Sequence, residues 1–156
     1  TKVFKDGGLS CYNETDAAAT IYDNNRSAAA EMTSKGQYGQ AIAKLLPIVE
    51  EKKAKVADYD ALGLNYIYTK QYDKALKYLK IGEQLDATEL LIQLHLAHAN
   101  LLKGNYNQAK SIYKKYNNQN VTDTTSWAAQ VKVDFLLFEK LGMPTKDFER
   151  ILNLLK

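Results

Sequence analysis

One short phrase recurs three times in this chain. It reads GQYGQAIAKLL around Tyr38, KQYDKALKYL around Tyr72 and GNYNQAKSIYK around Tyr106, each tyrosine falling 34 positions after the one before. Taking residues 22–55, 56–89 and 90–123 as units aligns them without a gap. The seventeenth place is then always Tyr, the twentieth always Ala (Ala41, Ala75, Ala109) and the eighth always small (Ala29, Gly63, Ala97). A period of this length marks a supersecondary unit that cannot bury its apolar face alone and stacks on its neighbours. Two prolines and eight glycines in 156 residues leave long uninterrupted runs of Ala, Leu, Lys, Tyr and Glu, so each unit reads as a pair of helices and the fold class as all-α.

Each recurrence carries a physical demand. The small residues fall near the middle of two successive helices, where a larger side chain would overpack the contact at about 1–3 kcal/mol. The fifteenth place, occupied by Gly36, Lys70 and Gly104, is where the first helix of a unit must stop, in a left-handed conformation that penalises a side chain. Lys70 therefore predicts either a strained left-handed lysine or a differently shaped turn. Pro47, inside the second helix of the first unit, removes a hydrogen bond to Ala43 and predicts a kink near residues 43–47 or, alternatively, the start of a new short helix.

The pattern resembles the tetratricopeptide repeat, a 34-residue helix-turn-helix unit. The likeness covers residues 22–123 and runs on, since Trp127 falls at the fourth place of a fourth unit, where the family favours Trp and where Tyr59 stands in the second. The middle unit matches best, through Leu62-Gly63, Tyr66, Tyr72, Ala75 and Leu79. Gly82, Ala87 and Asn100 depart from the family pattern. What the resemblance implies is a right-handed α-solenoid of three helical hairpins plus a degenerate fourth or capping helix pair. Residues 1–15 read as a linker or the tail of an upstream domain, with the first helix starting near residue 16. Residues 16–123 hold the three repeats, and 124–156 the degenerate fourth repeat or cap.

That last segment is led by YNNQNVTDTTS, whose Thr and Ser offer N-caps. The helix after it places Trp127, Val131, Phe135 and Phe138 at helical spacing while Val133, Leu136, Leu137 and Leu141 crowd adjacent faces, so it needs partners on more than one side. Gly142 and Pro144 end it, and Asp147 to Leu155 supply one more amphipathic helix. The order Trp, Asp-Phe, Lys-Leu-Gly looks like the terminal helix of some bacterial tetratricopeptide proteins.

The chemistry-bearing residues are few. Lys+Arg 21 against Asp+Glu 18, with Arg only at 26 and 150, describes a solvated surface and not a nucleic-acid footprint. No apolar run reaches the roughly 18 residues that span a bilayer, so no membrane insertion is expected. One cysteine, Cys11, cannot form an internal disulfide, and with the histidines far along the chain it reads as an ordinary thiol. His95 and His98, three apart, share a helix face but lack the further ligands a metal needs; they read as structural or groove-lining. No cofactor, metal or catalytic set is expected, and the chain reads as non-catalytic.

The resemblance also implies an inner groove built by the first helices. Its candidate residues here are Arg26 in the first unit, Asp60, Leu64 and Tyr68 in the second, and Leu91, Leu94, His98 and Leu101 in the third. The Lys and Asn clamp with which some family members hold chaperone C-termini is missing from these places. An apolar third-unit wall fits a segment of a partner protein or peptide lying in the groove, or cover by the chain's own terminal helix or by a second copy, making a homo-oligomer. The function expected is a protein-interaction scaffold; a dimerising or regulatory appendage of a larger polypeptide and a small secretion-type chaperone are the alternatives.

Overall fold

The computed structural model describes the chain from Gly8 to Lys156, with side chains from Ala17 onward. Eight helices follow in order: α1 (Gly8–Ser34), α2 (Tyr38–Glu50), α3 (Val56–Tyr68), α4 (Tyr72–Leu85), α5 (Leu90–Lys103), α6 (Tyr106–Lys115), α7 (Trp127–Lys140) and α8 (Phe148–Leu154). Among the described residues there is no strand, only an isolated antiparallel bridge between Asn120 and Ser126. The helices fall into two compact units, divided after Lys53.

In the first unit, α1 packs on α2. Its helix begins at Gly8 and not near residue 16, because nothing after the Gly-Gly pair interrupts a helix and the cap-competent Thr15 and Asp16 are carried inside it. Cys11 lies outside the described side chains. Ala29, Ala41, Ile42, Leu45 and Ile48 form the core. At the open end, the Tyr22 hydroxyl donates to the Glu51 carboxylate. Arg26 pairs with Asp23 at 3.0 Å and donates to the Lys53 carbonyl at 3.3 Å. Helix α2 runs unbroken through Pro47, which is exposed, so no new helix starts there.

The second unit continues the hairpin pattern. Helix α3 packs on α4 and α5, α4 on α5, α5 on α6, and α8 on both α6 and α7. The recurrent small places are where helices come closest. Ala75, Ala97 and Ala109 have no exposed surface, and a Cβ added to Gly63 would sit 2.5 Å from Leu79 Cδ2. Gly82, a departure from the family pattern, is also explained by space: a Cβ there would meet Ile92 Cδ1 at 2.7 Å. Asn100, another departure, accepts the Asn105 side-chain amide at 3.1 Å while its own amide donates to the Leu96 carbonyl.

Five helices end in one and the same way. After α1, α2, α3, α5 and α7 the chain places Gly36, Lys52, Lys70, Gly104 and Gly142 at positive φ. The following amide reaches back five residues: Gln37 to Met32, Lys53 to Ile48, Gln71 to Tyr66, Asn105 to Asn100 and Met143 to Phe138, at 2.8–3.0 Å. This satisfies carbonyls that the helix end would leave open. Of the two turns open to Lys70, the structure has the left-handed lysine, at φ 62°.

The far end of this unit is aromatic. Phe135 and Phe148 stack at 4.1 Å, tying α7 to α8, and Trp127, with no exposed surface, lies against Tyr113 and Tyr116. Ser126 caps α7 by accepting from the Ala129 amide at 3.1 Å, as the sequence predicts.

Two substitutions test these contacts by chemical denaturation. Gly63→Ala is expected to destabilise the second unit by about 1–3 kcal/mol, since Leu79 must be displaced. Lys52→Gly is expected to stabilise the chain by roughly 1 kcal/mol through relief of the left-handed conformation. Lys70→Gly should gain less. The Lys70 ammonium reaches the carboxyl end of α7 beside Gly142, where a cation contributes roughly 0.3–1 kcal/mol.

Candidate functional site

The structure separates the eight groove candidates by accessibility. Arg26 belongs to the first unit and is engaged there by Asp23 and the Lys53 carbonyl. Leu64 and Tyr68 of α3 are half-buried, and Leu91, at the start of α5, is 37% exposed. Leu94, Leu101 and Asp60 are buried, and His98 has no exposed surface at all. What covers His98 is the chain itself. Phe135 and Phe138 of α7 lie 5.7 and 5.0 Å from its ring, ring centre to ring centre, and Tyr113 of α6 lies at 5.7 Å. Tyr68 meets Phe138 at 6.3 Å. The cover over His98 is therefore supplied by α6 and α7 of the chain itself, ahead of the terminal helix α8 that the sequence offered for this role.

The buried part of the wall is a polar ladder. His95 Nδ1 lies 2.6 Å from Asp60 Oδ1, joining α5 to α3. One turn on, His98 Nδ1 lies 2.6 Å from the Tyr113 hydroxyl and its Nε2 lies 2.9 Å from Asp134 Oδ2, joining α5 to α6 and α7. Gln130 completes the ladder by donating to Asp134 Oδ1 at 2.8 Å. The two imidazoles stand 6.0 Å apart.

The protons follow from the surroundings. Burial pushes the Tyr113 phenol well above its ordinary value, aided by the Asp134 charge, so it keeps its proton and donates to His98 Nδ1. Burial also pulls His98 below its ordinary value, against the Asp134 hydrogen bond and charge. A neutral His98 then carries its hydrogen on Nε2 and donates it to Asp134. That carboxyl is held below its ordinary range: burial opposes ionisation, but the hydrogen bond from His98 outweighs it, with the Gln130 bond and the His95 charge assisting. His95 goes the other way. Burial lowers it, yet the Asp60 charge and hydrogen bond, with the Asp134 charge, leave it raised.

Tyrosine, histidine and aspartate in hydrogen-bonded order is the arrangement of a nucleophile, a base and its orienting carboxylate. Here Tyr113 and His98 have no exposed surface, so neither the hydroxyl nor the imidazole is open to solvent. Its chemistry is to satisfy buried polar atoms and to fix helices against one another. Among the described residues no group of three or more His, Cys, Asp or Glu is placed to hold a metal ion, and no helix is long and apolar enough to cross a membrane.

Three ladder members escaped the sequence reading. Tyr113 occupies the twenty-fourth place, where the other units have Leu45 and Leu79, so a polar tip at a buried place was the available signal. Asp134 falls on the stripe of Val131, Phe135 and Phe138, and Gln130 lies one turn before it. A carboxylate on an apolar stripe needs a buried partner.

Because the chain has two histidines, a single titration followed by NMR resolves both. His95 is expected to titrate above 6.5 and His98 below it. The stability His95 contributes is fully present below pH 6.5 and fades as pH rises through its folded value. That of His98 is present above pH 6.5 and is lost as pH falls towards its folded value. Asp60→Asn should lower the His95 midpoint, and two coincident midpoints near 6.5 would contradict the ladder. No protein-family model matches the chain, and no curated protein matches it in sequence.

Proposed function

We propose that the chain is a non-catalytic interaction module, in which residues 56–156 form a right-handed tetratricopeptide-like solenoid and hold an apolar segment of a partner protein on the exposed face of α7. The observation that carries the reading is the pair Val133 and Leu136. They lie three residues apart on α7 and are 58% and 55% exposed, while Trp127, Val131, Phe135 and Phe138 on the same helix are buried. Two branched apolar side chains held out from a rigid helix form a ridge that water penalises and a partner's apolar side chains relieve. A preformed helix also binds with little ordering cost. The sealing of Tyr113 and His98 supports the non-catalytic half of the proposal.

The ridge replaces the third-unit wall as the preferred contact, because Leu94, His98 and Leu101 are already enclosed. Leu91, Leu64 and Tyr68 remain reachable and would extend the contact.

The double substitution Val133→Asp with Leu136→Asp tests this. Both side chains point to solvent, so helical circular dichroism and melting should be unchanged. Co-purification of the partner from cells that express the chain should fall at least about tenfold, the loss expected when two apolar anchors worth over 1 kcal/mol are removed. Light scattering distinguishes a second copy as the occupant: the wild type would then be a dimer and the variant a monomer. If wild type and variant behave alike in both measurements, the ridge is not a binding surface.

A further inference from the structure

The two histidines of α5 lie on the same buried ladder but serve different neighbours. His95 is hydrogen-bonded to α3, through Asp60. His98 meets α6 through Tyr113 and α7 through Asp134. The titratable and charged groups facing the pair are therefore Asp60 on α3, Tyr113 on α6 and Asp134 on α7, with Tyr68 of α3 one ring further away against Phe138.

We propose that this division makes α5 a two-sided pH sensor, in which acid solution loosens the α7–α8 hairpin and alkaline solution loosens α3.

The acid arm rests on the tyrosine. In neutral His98 the Nδ1 lone pair is the acceptor for the Tyr113 hydroxyl, 2.6 Å away. A proton on Nδ1 turns that acceptor into a donor. The hydroxyl can then only turn and accept, which leaves its own hydrogen without a partner in a site with no exposed surface. The new charge also stands 6.0 Å from a His95 that is already protonated. Both penalties are relieved when α7 swings away and lets water reach His98. Low pH acts on this contact before it acts on Asp134, whose carboxyl is held below its ordinary range.

The alkaline arm rests on Asp60. That carboxylate is 9% exposed, and its 2.6 Å contact with His95 has the length of a charge-assisted hydrogen bond. Loss of the His95 proton leaves a buried carboxylate beside a neutral ring, and the charge then drives opening of the α3 side. Burial enforces the asymmetry: the same low-dielectric site favours the neutral form of one ring and, through Asp60, the charged form of the other.

The experiment is hydrogen exchange of the free chain, resolved by helix, at about pH 5, 6.5 and 8, the range over which histidine titrates. After correction for the intrinsic pH dependence of exchange, the opening of α7 and α8 should rise several-fold from pH 6.5 to 5. The opening of α3 should rise several-fold from pH 6.5 to 8. His98→Gln keeps an amide hydrogen for Asp134 but does not titrate, and it should flatten the acid response alone; His95→Gln should flatten the alkaline response alone. Should either variant fail to fold, the wild-type comparison between helices still decides. The proposal is overturned if α3 and the α7–α8 hairpin open together in the same direction, or if the glutamine variants respond as the wild type does. No partner is needed in this measurement, so its outcome is independent of the Val133 and Leu136 surface.

Discussion

A helical hairpin closes only as far as its facing side chains allow, and in this chain that limit is set at a few places without bulk. Gly63 is the sharpest case, since the space a Cβ would need is taken by Leu79. Ala75, Ala97 and Ala109 are enclosed for the same reason. Everything else in the second unit depends on this approach: the burial of Leu62, Ile67 and Ile92, and the distance at which α5 can hand polar groups to its neighbours. Van der Waals attraction falls off steeply with a gap of half an ångström, so the small places decide whether the larger side chains touch at all.

On this scaffold the chain places a feature that apolar packing does not require. The ladder from Asp60 through His95, and from Tyr113 through His98 to Asp134 and Gln130, crosses α3, α5, α6 and α7. A buried polar pair of this sort adds little net stability over a well-packed apolar one. Hydrogen bonds have direction, however, and apolar contacts have little. Each rung fixes the rotation of one helix about its axis relative to the next, and each also makes the junction answer to protons.

The hairpins were legible because their determinants are local and recur. Tyr38, Tyr72 and Tyr106, the alanines three residues after them and the glycines two residues before two of them mark helix ends and close contacts that hold in any neighbourhood. Lys70 was legible as an exception, and it takes the left-handed conformation that Gly36 and Gly104 take elsewhere. The start of α1 was misplaced because Thr15 and Asp16 can cap a helix and can equally be carried within one. The groove was the least legible part. Leu94, His98 and Leu101 read as an inner wall, and nothing in their spacing says that Phe135 and Phe138, some forty residues on, would close over His98.

By itself the sequence determined the all-α class, the 34-residue period and the places where backbones must come close, because helix propensity, turn conformation and side-chain volume are properties of single residues and short windows. Tertiary structure decided which polar groups find one another. That His98 stands between Tyr113 and Asp134, and that Val133 and Leu136 are left in water while Phe135 beside them is buried, depends on how α7 settles against helices distant in the chain. Burial and pairing are properties of the assembled site, and no window of the sequence contains them.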